Sequence, residues 1–252
     1  RICCAAELRL NRRYADELYL DVIAIGGTPA APVIGASGGA VLEYAVKMRR
    51  FAEAQRLDHV CARGELTPAH MRLLAQEIAD FHGQAAVAAA DTRFGRPLLV
   101  LAPALDNLDA LQALLPDAAD RQRIAVLDAW TRDEYARCEA ALAARRRGGY
   151  VRECHGDLHL GNLVLLAGNR ADASCQNLAS GPAERILPFD CIEFNEDFRW
   201  IDVAAELAFT LVDLRDQHRP DLAAALLDEW LALSGDFDAL RVLRFYGVYR
   251  AL

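Results

Sequence analysis

The sequence lacks the features that mark three large classes of protein. It has no apolar run of the roughly 18 residues that a membrane-spanning helix needs, so we expect no membrane partner. An excess of positive charge is also missing, and the net charge of −8 argues against a nucleic-acid partner. Internal repeats and low-complexity linkers are absent. With 54% hydrophobic and 25% charged residues, the composition is typical of a globular chain rather than a disordered one.

Two further absences concern the cysteines and the chain ends. The seven cysteines, an odd number, include no C-x-x-C pair, so we interpret them as reduced thiols of a cytoplasmic protein. The chain begins at Arg1 directly in a helical pattern without a cap, and its last apolar helix ends without Gly or Pro. We therefore expect a fragment of a longer protein, truncated at both ends.

Strands are predicted early in the chain and helices later. Residues 18 to 25 and 41 to 48 have strand patterns, and the stretch between them is rich in Gly and Pro and predicts a loop. Helices are predicted after the capping residue Thr67 and over residues 119 to 147. Residues 200 to 214 are nearly apolar all round and predict a buried helix. Segregated strands and helices indicate an α+β fold.

The stretch ECHGDLHLGN, residues 153 to 162, carries the strongest chemical signal. His155, Asp157 and His159 have H-x-D-x-H spacing, which on a strand would place three ligands on one side, suited to Zn²⁺. A Zn-dependent hydrolase built on these residues is one alternative. It has less support, because Gly156 and Gly161 weaken a strand and no second His cluster completes the site.

The same stretch also fits the phosphotransfer pattern H-x-D-x-x-x-x-N, with His155, Asp157 and Asn162. An Asp at that place can orient an attacking hydroxyl group and accept its proton. An Asn five residues later can place its amide oxygen on Mg²⁺, which prefers oxygen ligands. Asp190, at the end of an apolar strand in LPFDCIEF, would supply the further carboxylate. Asp202 could cap the helix that follows it or accept hydrogen bonds from the backbone of this loop. Both roles are structural, and we favour the second.

HGDLHLGN followed by FDCIEFNEDFRWIDVAAELAF resembles the aminoglycoside phosphotransferase (choline kinase-like) family, in particular its branch of uncharacterised bacterial proteins. LNRR, EYAVKMRRF and RFYGVYRAL are also typical of that branch, so the resemblance extends over nearly the whole chain. It implies a two-lobed, protein-kinase-like fold. Residues 1 to 50 would form part of the small lobe with the hinge, and residues 51 to 252 the helical large lobe.

The resemblance implies a phosphotransferase that uses ATP and Mg²⁺ and moves the γ-phosphoryl group to a hydroxyl group of a small molecule. Asp157 would be the catalytic base or orienting carboxylate, and His155 would shape its loop. Asn162 and Asp190 would be the Mg²⁺ ligands. Because the segment with a phosphate-binding lysine is not recognisable, a catalytically inert, kinase-like nucleotide-binding module is an alternative. The resemblance gives His159 no role.

The resemblance also implies contacts outside the loop. Glu7 matches the acidic residue that pairs with the phosphate-binding lysine, and the backbone at Met48, Arg49 and Arg50 would meet adenine. The lysine and its Gly-rich loop are expected upstream of the chain, rather than at Lys47. Glu193, with Glu196 and Asp197, is a weaker candidate for an acidic wall beside an amine-bearing acceptor. A fused P-loop kinase domain beyond Leu252 is a further partner that the resemblance leaves open.

Overall fold

A three-stranded antiparallel sheet follows the first helix of the structure, a computed structural model that describes residues 1–35, 40–167 and 184–252. Helix α1 spans Ile2–Ala15. Strands β1 (Tyr19–Thr28), β2 (Ala31–Ile34) and β3 (Glu43–Met48) form the sheet in the order β2-β1-β3. The two strands predicted from the sequence are therefore present, and a third lies beside them.

The prediction of a loop between these two strands is wrong for most of the described residues in that stretch. Strand β1 continues to Thr28, and β2 returns along it after a turn at Pro29 and Ala30. Gly27 makes this hairpin possible because its φ is 83° and a Cβ atom there would lie 2.4 Å from the carbonyl oxygen of Ala31. The Gly- and Pro-rich composition thus produces a tight turn. Residues 36 to 39 of the predicted loop lie outside the described residues.

Helices dominate the middle of the chain. Helix α3 begins where the sequence predicts, because the side chain of Thr67 accepts a hydrogen bond from the backbone N–H of His70 and Pro68 is the first helical residue. The long helix predicted to end in three arginines is also present. The four helices of this part are α2 (Leu57–Ala62), α3 (Pro68–Gln84), α4 (Pro97–Leu114) and α5 (Ala118–Arg147).

Short strands and four more helices form the rest of the described chain. The strands are β4 (Val151–Glu153), β5 (Leu163–Ala167), β6 (Glu184–Pro188) and β7 (Trp200–Asp202), and the helices are α6 (Glu196–Arg199), α7 (Val203–Asp216), α8 (Pro220–Ser234) and α9 (Leu240–Ala251). Strands β5 and β6 form the predicted hairpin, whose connection at residues 168 to 183 lies outside the described residues. The prediction that the buried helix begins at residue 200 is wrong, since residues 200 to 202 pair with β4 as strand β7.

Two apolar clusters meet at the β5–β6 hairpin. The larger one lies among α3, α5, α7, α8 and α9 and includes the fully buried Trp230 and Phe245. The smaller one joins α1 and β1 to the hairpin through Leu18, Val164 and Leu187. The fold is therefore α+β and kinase-like, as predicted. The division of the chain at residue 50 stays a prediction, although the sheet ends at Met48. None of the described helices combines the length and apolar character that a bilayer span demands.

Candidate active site

Residues 155 to 162 form a tight loop between β4 and β5. Gly156 has a φ of 92°, and a Cβ atom there would lie 2.5 Å from the carbonyl oxygen of Phe198, so a side chain at this position would collide with the backbone of the segment before β7. Residues 160 to 162 close the loop with a single 3₁₀ turn. The strand that the H-x-D-x-H metal site would require is therefore not formed.

The ring of His155 is fully buried and holds the loop in shape. Its Nε2 atom lies 2.9 Å from the carbonyl oxygen of Phe189, and its Nδ1 atom lies 3.3 Å from the backbone nitrogen of Asp157. Burial lowers the pKa of His155, which favours the neutral ring, with Nε2 donating and Nδ1 accepting. Because both ring nitrogens are engaged, His155 has no free atom for Zn²⁺, and the hydrolase alternative loses its first ligand.

Asp157 and Asn162 contact each other across the loop. The Nδ2 atom of Asn162 donates to the carbonyl oxygen of Asp157 at 3.0 Å and to its Oδ2 atom at 3.1 Å. These bonds assign the amide orientation. They leave Oδ1 of Asn162 without a hydrogen-bond partner among the described residues, so this oxygen is available to a cation. The Asp157 side chain is 38% exposed and can be reached from solvent.

His159, which the sequence leaves without a role, lies beside Asp157. Its Nε2 atom is 3.6 Å from Oδ2 of Asp157, and its Nδ1 atom accepts a hydrogen bond from the backbone N–H of Gly161. The interaction with Asp157 raises the pKa of His159, and the interaction with His159 lowers the pKa of Asp157. His159 therefore helps to keep the carboxylate of Asp157 ionised.

This pair predicts a specific titration. We expect the NMR titration of the His159 ring to give a pKa above 6.5, and Asp157→Asn to return it towards 6.5. The raised pKa means that the pair stabilises the fold fully below about pH 6.5 and loses this contribution as the pH rises through the folded-state pKa. Asp216→Asn, an exposed change on α7, is the control and should leave the titration unchanged. If the pKa of His159 were the same in Asp157→Asn and in wild type, the interaction between His159 and Asp157 would be contradicted.

The segment after β6 packs directly against the loop. Backbone N–H groups of Phe189 and Ile192 donate to the carbonyl oxygens of Asn162 and His155, at 3.0 and 3.2 Å. Asp190, between them, has a φ of 65°, and its N–H donates to the hydroxyl oxygen of Tyr19 at 2.9 Å. The structure thus places Asp190 beside the loop residues with which the sequence grouped it.

One cavity collects the residues predicted to bind the nucleotide. It has a volume of about 340 Å³. Its lining consists of Glu7, Tyr19, Met48, Arg49, Arg50, Phe51, Phe189 and Asp190. Burial raises the pKa of the Glu7 carboxyl group, and the negative charges of Glu193 and Asp190 raise it further. This end of the cavity therefore concentrates negative charge.

Helix α7 supplies three residues that sequence analysis missed. Oε2 of Glu206 accepts hydrogen bonds from the backbone N–H groups of His155 and Gly156, at 2.6 and 2.9 Å. Further along the same helix, the hydroxyl of Thr210 donates to the carbonyl oxygen of Leu158, and Oδ2 of Asp213 accepts from the N–H of Leu160. The spacing 206, 210, 213 places the three on one helix face. Polar residues at helical spacing in an otherwise apolar helix are the signal that could have found them.

The favoured role of Asp202 is wrong. Both of its oxygens bind Arg145 at 2.8 Å, and its side chain caps α7 by accepting from the N–H of Ala204. Asp236 binds the same guanidinium group at 2.7 Å, and all three side chains are at least 97% buried. Asp202 lies one turn before Glu206 and is directed towards α5, so the loop's N–H groups meet Glu206 instead.

The acidic wall predicted at Glu193, Glu196 and Asp197 is largely neutralised. Asp197 forms a two-point ion pair with Arg93, at 2.7 and 3.0 Å. Glu196 binds Arg199 at 3.0 Å. Glu193 lies close enough to Glu7 for its negative charge to raise the pKa of the Glu7 carboxyl group. These three residues therefore do not form one continuous acidic surface, and a contact between Glu193 and an acceptor stays a prediction.

Comparisons with known proteins show which family the chain is similar to. A model of the phosphotransferase enzyme family matches residues 11–173, which include the whole loop from His155 to Asn162. Three uncharacterized proteins, one from Mycobacterium bovis and two from strains of Mycobacterium tuberculosis, are each 26% identical over 249 residues. The match covers 99% of this chain and 45% of each relative, so the chain spans a little under half of their length. No solved structure matches the chain. Because the family model covers well over half of the residues, the chain belongs to the phosphotransferase enzyme family.

Proposed function

We propose that this chain carries the catalytic site of a phosphotransferase that uses ATP and Mg²⁺ and transfers the γ-phosphoryl group to a hydroxyl group of a small molecule. One observation carries the proposal: the H-x-D-x-x-x-x-N loop packs against Asp190, and Asp190 shares a cavity with Glu7 and the segment that follows β3. Family membership supports the reaction class, and the two substrates and the metal are inferred from the site.

The donor atoms at this place fit Mg²⁺. Asn162 offers an amide oxygen to which none of the described residues donates a hydrogen bond, and Asp190 offers a carboxylate at the cavity wall. Both are hard oxygen ligands of the kind that Mg²⁺ prefers alongside phosphate oxygens. Burial raises the pKa of Glu7, and the negative charges of Glu193 and Asp190 raise it further. A divalent cation would relieve this repulsion among the carboxylates. When bound, Mg²⁺ would neutralise charge on the phosphates.

The residues of the chain would mainly position the reactants. Asp157 is partly exposed and ionised, and it would hold the acceptor hydroxyl group in line with the γ-phosphorus. Because its pKa is lowered, Asp157 is a weak base, so orientation of the hydroxyl would contribute more than early removal of its proton. Asn162 fixes one oxygen of this carboxylate, and His159 lies beside the same oxygen.

The cavity supplies apolar and backbone contacts for a purine base, from Met48, Phe51 and Phe189. Lys47 is the only lysine of the chain, and it is exposed on β3 and outside the cavity lining. This supports the prediction that Lys47 is not the phosphate-contacting residue. The described lining of the cavity contains no lysine, and this also favours the second candidate function, a nucleotide-binding module without transfer activity.

Binding of Mg·ATP tests the proposal. Isothermal titration of the full-length protein should give at least tenfold weaker ATP binding in Asp190→Asn than in wild type when Mg²⁺ is present, a loss of about 1.4 kcal/mol. Without Mg²⁺ the variant should bind ATP at least as tightly as wild type, because the Asp190 carboxylate would then only repel the phosphates. Asp228→Asn, exposed on α8, is the control. Equal binding of Mg·ATP by Asp190→Asn and wild type would reject the metal site. Binding of Mg·ATP by wild type without transfer of the γ-phosphoryl group to any acceptor would favour the inert module.

A further inference from the structure

A second cavity, of about 290 Å³, lies between α4, the segment from residue 195 to 202, and α9. Its volume is at the lower end of the roughly 300–1,000 Å³ of small-molecule pockets. Most of its lining is apolar or aromatic, including Phe94, Leu99, Phe198, Trp200, Tyr246 and Tyr249. The rings of Phe94 and Trp200 are stacked, with centroids 5.4 Å apart and planes within 9° of each other. The wall is thus built to contact a flat apolar group.

This cavity adjoins the loop that carries Asp157. Phe198 lines it, and the carbonyl oxygen of Phe198 lies against Gly156, one residue before Asp157. Arg250 also lines the cavity. Its guanidinium group is 5.0 Å from the ring centre of Phe209, which in turn lies 5.6 Å from the ring centre of His159. The cavity wall therefore lies next to the loop that carries Asp157.

The charges on the wall favour a ligand without positive charge. The carboxylate of Asp197 is paired with Arg93, and the carboxylate of Asp202 is paired with Arg145. Arg250 lines the cavity and has no carboxylate within ion-pair distance among the described residues. A polycation would lose hydration on entering, would find no free carboxylate on the wall, and would meet a like charge.

We propose that this cavity binds the phosphoryl acceptor, and that the acceptor is an alcohol with an apolar, aromatic body and no net positive charge. The proposal rests on the proposed function. In the transfer, the hydroxyl oxygen of the acceptor forms a new bond to the γ-phosphorus, and the bond between that phosphorus and the bridging oxygen of ADP breaks. ADP leaves with the electron pair of the broken bond, and the hydroxyl proton passes to Asp157 and then to solvent. The products are ADP and a phosphate monoester.

A matched pair of variants on α4 tests the cavity. Leu99 lines it and is 48% exposed, whereas its neighbour Leu98 is 70% exposed and lies outside it. Since both side chains are partly in solvent, Leu99→Glu and Leu98→Glu should both fold. The probe is 2-naphthalenemethanol, an uncharged and fluorescent aromatic alcohol, titrated into the full-length protein with Mg·ATP. Kanamycin, a polycationic amino sugar, is the contrasting probe, and release of ADP is measured with each.

We expect Leu99→Glu to weaken binding of 2-naphthalenemethanol at least tenfold, and Leu98→Glu to stay within twofold of wild type. Mg·ATP binding should be the same in all three proteins, and kanamycin should neither displace the naphthyl probe nor stimulate ADP release. Displacement or stimulation by kanamycin, equal binding by the two variants, or no binding of the naphthyl probe would each overturn the proposal. Failure of wild type to bind Mg·ATP would instead reject the proposed function, and the probe titrations would still report the cavity's preference.

Discussion

Asp157→Asn should lower the rate of phosphoryl transfer by about 10²- to 10⁴-fold, the range for removal of a positioned acid–base group. Asn has the same shape, and its amide oxygen can still accept the hydrogen bond that Asn162 now donates to Oδ2. The variant loses the negative charge, and an NH₂ group replaces the oxygen that would orient the hydroxyl group and take its proton. The loss should therefore appear in kcat.

The fold and the nucleotide site should survive this change. Asp157 is partly exposed, and the loop is held by bonds to other residues, so unfolding temperature and Mg·ATP affinity should remain close to wild type. Comparison of single-turnover transfer rates with ATP titrations separates the two effects. Asp228→Asn makes the same chemical change at an exposed position on α8 and is the control. Transfer at the wild-type rate by Asp157→Asn would remove Asp157 from the mechanism.

The local signals in the sequence were sufficient for much of the fold. Thr67 and Pro68 begin α3 because a cap and a fixed φ act within one turn, and Gly235, with a φ of 67°, ends α8 for a similarly local reason. The missed features depend on contacts that are distant along the chain. Residues 200 to 202 form a strand only because β4 lies alongside, about 50 positions earlier.

The candidate site shows the same division. The order of His155, Asp157 and Asn162 in one loop could be recognised from spacing, and Asp190 from its place after a strand. Which carboxylate holds the loop could not be derived that way. Asp202 and Glu206 lie one helical turn apart, and the choice between them depends on Arg145, which approaches Asp202 from α5. A partner 57 positions away is not visible in the local pattern.

Glu206→Ala should give the largest loss of stability among these variants. The Glu206 carboxylate is completely buried, and it accepts hydrogen bonds from the backbone N–H groups of His155 and Gly156 and from the ring of His82. Each buried donor left without a partner costs about 1–3 kcal/mol. The two N–H groups alone should therefore lower the free energy of unfolding by about 2–6 kcal/mol. Denaturant unfolding measures this loss, and Asp216→Ala, at an exposed position on the same helix, should stay within about 0.5 kcal/mol of wild type.

The loss should depend on pH in a defined direction. Burial acts to raise the pKa of Glu206, but the hydrogen bond from His82, the nearby histidine rings and the Gly156 N–H outweigh it and hold the pKa below 4.5. A lowered pKa means that the carboxylate stabilises the fold above about pH 4.5, and that this contribution is lost as the pH falls through the folded-state pKa. The difference between wild type and Glu206→Ala should thus decrease in acid. A difference that is constant across this range would contradict an ionised Glu206.

Glu206→Gln separates the hydrogen bonds from the charge. Trp230 donates to Nδ1 of His82, so Nε2 of His82 carries the hydrogen that points at Glu206. In one orientation the Gln amide oxygen accepts from the two loop N–H groups, and its NH₂ group then faces the N–H donor of His82. In the other orientation the amide oxygen accepts from His82, and the NH₂ group then faces the two loop N–H donors. Gln should therefore recover only part of the stability that Ala loses. Because the loop carries Asp157, kcat should fall in both variants while Mg·ATP affinity changes little. Full recovery of stability and of kcat in Glu206→Gln would show that the charge of Glu206 does not position the loop.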